Sequence, residues 1–153
     1  MASKRINREL KVLCEEYGEE NIIVDDITTD TGRYIELKKK ITINKNKSII
    51  VSCSDYPFKA PTLLINNKEY YEFFKTKSKR ILKLLHENGN VGCMCCSSIL
   101  CNWTPTYTFK SILKEIENFN NIKRQIKYKI FMDEFYKSSK YPKFVMTYIL
   151  EFL

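Results

Sequence analysis

The chain has 153 residues, of which 44% are hydrophobic, 13% aromatic and 29% charged, with a formal net charge of +8. Those proportions supply a core and exclude a disordered chain, while four Gly and four Pro exclude a collagenous or proline-rich one. No apolar run reaches a membrane span and no signal-peptide core follows Met1-Ala2-Ser3-Lys4-Arg5, so one domain over residues 1–153 is expected, in the cytoplasm or nucleus and without membrane contact.

In chain order, Ile6, Leu10, Leu13 and Tyr17 fall at the spacing of one helical face, with Ser3 as a cap, Gly18 as a stop and Lys, Arg and Glu on the reverse side. Short β-rich runs follow at Ile22–Val24, Tyr34–Leu37, Ile41–Ile43 and Ser48–Val51, with Asn44-Lys45-Asn46-Lys47 as a hairpin tip. The gaps leave no room for helical crossovers, which predicts an antiparallel four-stranded meander. Tyr56-Pro57-Phe58-Lys59-Ala60-Pro61 forces a rigid extended corner before a last run, Thr62–Ile65. The stretch from Lys68 to Leu85 is expected to be partly helical, with Ile81, Leu84 and Leu85 on one face. An irregular segment from His86 to Pro105 carries a cysteine cluster and the only Trp. Phe109, Ile112, Leu113, Ile116 and Phe119 restore the helical period, extended through Ile122, Ile126, Ile130 and Phe135 with a bend, and Val145, Ile149 and Phe152 predict a closing helix. The fold class is therefore α+β, with C-terminal helices.

Twenty-six Lys and Arg against eighteen Asp and Glu favour acidic partners in general. The lysines are spread from Lys4 to Lys143 without a long block, which reads as a solvated basic surface rather than a nucleic-acid site. Of six cysteines, Cys14 and Cys53 stand alone and read as small buried hydrophobes, whereas Cys93, Cys95, Cys96 and Cys101 crowd into nine residues. Reduced thiols in an intracellular chain point to thiol or metal chemistry.

Several segments resemble the motifs of ubiquitin-conjugating enzymes, in that family's order. Lys4-Arg5-Ile6-x-x-Glu9-Leu10 is similar to its first helix, and Tyr56-Pro57-Phe58-Lys59-Ala60-Pro61 to its Tyr-Pro-Phe-x-x-Pro corner. His86-Glu87-Asn88 resembles its His-Pro-Asn tripeptide. Trp103-Thr104-Pro105-x-x-Thr108 with Ile112-Leu113-x-x-Ile116 resembles its Trp-Ser-Pro segment and the helix behind it, and a cysteine lies in the interval between the last two motifs. The likeness covers residues 4 to about 116. It departs from the family in lacking the Gly-rich stretch before the corner, in additional sequence from Asn67 to Leu84, in Glu87 replacing a proline, and in lacking the Pro-rich turn after Ile116. Enrichment in Lys, Asn and Ile would suit an AT-rich genome, such as that of a large DNA virus or a protist, with the host cytoplasm as the location in the viral case.

The resemblance implies a ubiquitin-conjugating-enzyme-like fold and a transferase that accepts ubiquitin or a ubiquitin-like modifier as a cysteine thioester. It needs no cofactor, since ATP is used by the activating enzyme. Thiolate is strongly nucleophilic even when sparsely ionised, and a neutral amide beside it can hydrogen-bond the oxyanion of the tetrahedral intermediate. Cys96 opens Cys96-Ser97-Ser98-Ile99-Leu100, like the family's Cys-Leu-x-Ile-Leu, whereas Cys95 has the family's distance to Trp103. Both stay open as nucleophile, Cys96 ahead. The likeness assigns the amide role to Asn88 and a loop-shaping role to His86, while Trp103 reads on its own as a core or loop anchor rather than a binding residue. It puts Phe58, Pro105 and Thr106 on a surface for a ubiquitin ligase, Lys4 and Arg5 against the activating enzyme, and a protein substrate downstream. Two other readings remain. One is a catalytically inactive binding module of the same fold. The other is a zinc-binding interaction protein using Cys93, Cys95 or Cys96, Cys101 and His86, for which Cys93-x-x-Cys96 has one ligand-pair spacing and no second pair follows.

Overall fold

A computed structural model describes residues 2–30, 32–70, 78–89 and 94–138. Helix α1 spans Ala2–Tyr17. Ile6 and Leu13 are fully buried, and Leu10 and Tyr17 pack half-buried against the same core, as their spacing predicts. Ser3 lies inside the first turn instead of capping it. The polar reverse face also needs a correction at Glu9, which follows Ile6 by three residues and precedes Leu13 by four. It therefore shares their stripe and is only 6% exposed. Gly18 ends the helix at φ 84°, a setting that costs glycine nothing, and donates its N–H to the Cys14 carbonyl at 3.0 Å.

A 3-10 turn, Glu19–Asn21, leads into an antiparallel sheet of β1 (Ile22–Asp30), β2 (Ile35–Ile43), β3 (Lys47–Ser52), β4 (Thr62–Ile65) and β5 (Lys68–Glu69), each strand beside the next. The expected meander is present, with five strands rather than four. Lys38-Lys39-Lys40, which lies between the separately expected runs Tyr34–Leu37 and Ile41–Ile43, is mid-strand: Lys40 stands opposite Asp25 and Lys39 opposite Asp26. Lys39 Nζ lies 2.6 Å from Asp26 Oδ1, so cross-strand pairing offsets the like charges along β2. At the other edge Asn66 and Asn67 both take positive φ, 50° and 61°, and this two-residue turn folds Lys68–Glu69 back onto β4. The tip between β2 and β3 forms where expected, with Asn44 and Lys45 also at positive φ. Ile41, Ile49 and Leu63 are register neighbours, and with Ile43 and Val51 they make the buried face.

Among the described residues three helices follow: α2 (Lys79–Gly89), α3 (Met94–Ser97) and α4 (Phe109–Ser138). The irregular segment expected from His86 is corrected, because α2 runs on through His86-Glu87-Asn88. A proline at position 87 would push His86 out of helical geometry, and with Glu87 there nothing stops the helix until Gly89. α4 is one helix of 30 residues, which carries the apolar period through Ile130 and Phe135. It buries Phe109, Ile112, Leu113, Ile116, Phe119, Ile122 and Ile126 and packs against α1 and α2. With Leu84 and Leu85 of α2, the α1 stripe and the inner sheet face, these side chains form one core. The closing helix expected at Val145, Ile149 and Phe152 lies outside the described residues. Among the described residues no helix is long and apolar enough to cross a membrane.

Candidate active site

Glu9 joins three segments that are far apart in sequence. The Tyr56 hydroxyl donates to its carboxylate, at 2.7 Å from Oε1 and 2.8 Å from Oε2. Arg5 Nε donates to Oε1 at 2.7 Å, and the Phe109 N–H at the start of α4 donates to Oε2 at 2.8 Å. A buried carboxylate is tolerated only when so satisfied. Arg5 reaches further: its guanidinium donates to the Tyr107 carbonyl at 2.9 Å and lies 5.6 Å from the centre of the Tyr56 ring. Burial, with the neighbouring Glu9 charge, holds the Tyr56 hydroxyl well above its ordinary range, so it stays a donor.

The same cluster fixes the candidate ligase surface. Tyr56-Pro57 is a cis peptide bond, and the Pro57 carbonyl accepts Trp103 Nε1 at 2.7 Å. The Trp103 ring lies 6.1 Å from Tyr56 and 5.9 Å from Tyr107, so Trp103 anchors this loop, as expected. Phe58 follows Pro57 with 83% of its surface exposed, and Pro105 and Thr106 are exposed beyond Trp103. Thr104 and Thr106 share a hydroxyl–hydroxyl hydrogen bond of 2.6 Å that braces the turn. Lys4, Arg5, Arg8, Pro57 and Phe58 line one groove. Arg5 is engaged inward there, and Lys4 and Arg8 are the cations it exposes.

Cys96 lies on the single-turn helix α3 and is exposed. The turn behind it is closely tied. Asn102 Nδ2 donates to the Cys96 carbonyl at 2.8 Å and to the Ser98 carbonyl at 3.2 Å, and the latter also accepts the N–H groups of Cys101 and Asn102. Ser98 is buried, and its hydroxyl donates to Glu115 Oε2 on α4 at 2.9 Å. The Ile99 N–H donates to Glu115 Oε1 at 2.7 Å. Burial raises the Glu115 carboxyl above its usual range, and those two hydrogen bonds oppose the rise. Sequence reasoning missed Glu115 and the central role of Glu9. The available signal was the same for both: each is a carboxylate inside an apolar helical period, Glu115 between Leu113 and Ile116 and Glu9 between Ile6 and Leu13.

His86 is exposed on α2. Asn88 is on the last turn of α2 and Cys95 on α3, but their side chains, like all of Cys93, lie outside the described residues. Cys101 is exposed, and Cys14 and Cys53 are half-buried thiols. Among the described residues no three His, Cys, Asp or Glu side chains are grouped to hold a metal ion. The described residues thus include an exposed thiol on a braced turn and, as a separate feature, an exposed apolar and basic surface. No family model, curated protein or solved structure matches the chain.

Proposed function

We propose that this chain is a divergent ubiquitin-conjugating enzyme with that family's fold, accepting ubiquitin or a ubiquitin-like modifier from an activating enzyme as a thioester on Cys96. The observation that carries the reading is the meeting on Glu9 of the Arg5, Tyr56 and Phe109 segments. Three stretches that resemble the family's motifs, separated by up to a hundred residues, form one hydrogen-bonded unit. An independent origin for each likeness would not require them to touch.

In this account the Cys96 thiolate attacks the modifier's thioester carbonyl on the activating enzyme, whose thiolate leaves. A lysine amine of the substrate, or a thiol of a ligase that forms its own thioester, then takes the acyl group. Glu115, Ser98 and Asn102 hold the turn that carries the thiol. Asn88 supplies the amide toward the oxyanion and His86 shapes its surroundings. Phe58, Pro105 and Thr106 meet the ligase, and Lys4 faces the activating enzyme, while Arg5, which the likeness also assigns there, is engaged inward with Glu9 and the Tyr107 carbonyl. The test is formation of a thiol-sensitive adduct with ubiquitin in the presence of activating enzyme and ATP.

A second reading, an inactive binding module of the same fold, draws on the helical setting of His86-Glu87-Asn88, since the tripeptide's role in the family belongs to a loop. It predicts noncovalent modifier binding without a thioester.

A further inference from the structure

The basic charge that looks scattered along the sequence gathers on two packed helices. Residues 79–89 and 120–138 carry eight Lys and Arg against three Asp and Glu. Those three carboxylates already face cations: Asp133 and Glu134 pair with Arg80, and Glu87 lies 3.8 Å from both Lys83 and Lys129. Arg124 and Lys127 are exposed and make no ion pair with another described residue. Lys123 on the same helix is half-buried, and burial, with a smaller contribution from the neighbouring Lys127, depresses its ammonium.

A shallow groove of about 790 Å³ opens beside these cations, lined among the described residues by Asn121, Arg124, Gln125, Tyr128 and Lys129. The first four stand at i, i+3, i+4 and i+7, on one face of α4. They offer two amides, cations and an aromatic ring, and no carboxylate. Tyr128 is 50% exposed and Phe131, one turn on, is 47% exposed with its ring stacked 5.4 Å from Phe135. An acidic protein surface would need the cations alone. Cations beside exposed rings match a different ligand, one with a regular anionic backbone and flat faces that stack.

We propose that this face of α4 binds single-stranded nucleic acid. Arg124 and Lys127 meet phosphates, Tyr128 stacks on a base, and Asn121 and Gln125 reach base edges. The proposal is independent of the thioester chemistry on Cys96 and would bring that chemistry to substrates carried on nucleic acid.

The test is fluorescence anisotropy of the whole chain with labelled oligothymidylate and oligouridylate of about 16 nucleotides, at rising salt. Saturable binding at low salt is expected, with log affinity falling against log salt at roughly 0.7 per phosphate engaged. Arg124→Glu with Lys127→Glu should weaken binding by tenfold or more and flatten that slope. Tyr128→Ala should weaken it by roughly tenfold, whereas Tyr128→Phe, which keeps the ring, should not. Lys45→Glu with Lys47→Glu, which reverses two charges at the β2–β3 tip, should leave binding intact. Circular dichroism establishes that each variant folds. The proposal is overturned by absence of saturable binding, by equal loss in the Lys45/Lys47 variant, by indifference to Tyr128→Ala, or by equal displacement with polyglutamate, which would mark an acidic-protein surface instead.

Discussion

The Tyr56 hydroxyl donates to both oxygens of Glu9, across 47 residues of sequence, in the interior of the protein. This contact ties the first helix to the cis-proline corner, and the same carboxylate caps α4 through the Phe109 N–H. The architecture around the candidate ligase surface therefore hangs on one acidic side chain.

Removing that side chain is expected to be severe. Glu9→Ala strands the Tyr56 hydroxyl, the Phe109 N–H and part of Arg5, and should destabilise the fold by about 3–5 kcal/mol, the usual cost of breaking a buried charge network. Tyr56→Phe removes one charge-assisted bond and should cost about 1.5–3 kcal/mol. The two losses should not add in a double mutant, because they share partners. Denaturant unfolding of the four proteins checks this.

Much of this frame can be read in the sequence. The α1 stripe, the Asn44–Lys47 tip and the rigid corner at Tyr56–Pro61 rest on local periodicity and on backbone constraints, which act whatever surrounds them. The Lys38-Lys39-Lys40 run misleads because Lys39 pairs with Asp26 across a strand pair and Lys38 with Glu36 along its own strand, and the first of these relationships is absent from the local sequence. His86-Glu87-Asn88 misleads in the opposite way. A likeness to a loop motif outweighs a helical period that Glu87, unlike proline, allows to continue. Glu115 stays hidden because its partners Ser98 and Ile99 lie outside its own helix, and only the fold brings them to it.

Glu115 gives a pH signature. Its carboxyl is raised on folding, chiefly by burial, so the native state binds this proton more tightly than the unfolded chain. The native state therefore gains stability from this group as pH falls through the raised value, and the gain is complete below the ordinary value of 4.5. Glu115→Gln has no such ionisation. The melting temperature of wild type relative to Glu115→Gln should rise between neutral pH and about pH 4.5. A difference that stays constant with pH would mean that Glu115 does not titrate in this range.

Phe58 separates surface from core. With 83% exposure it contributes little to folding, and Phe58→Ala should change stability by no more than about 0.5 kcal/mol. Modifier loading should persist, while ligase-stimulated discharge should fall. Thermal melts and single-turnover discharge with a panel of ligases measure the two effects separately.

The most direct test of the central claim is a charging assay with activating enzyme, ATP and ubiquitin, or a ubiquitin-like modifier, run on a non-reducing gel. Wild type, Cys95→Ser and Cys96→Ser are compared. The account predicts a modifier-sized shift that collapses under thiol, survives in Cys95→Ser and disappears in Cys96→Ser. Loss in Cys95→Ser alone would move the nucleophile to the neighbouring residue. Absence of any shift in wild type, across modifiers and their activating enzymes, would contradict the transferase reading.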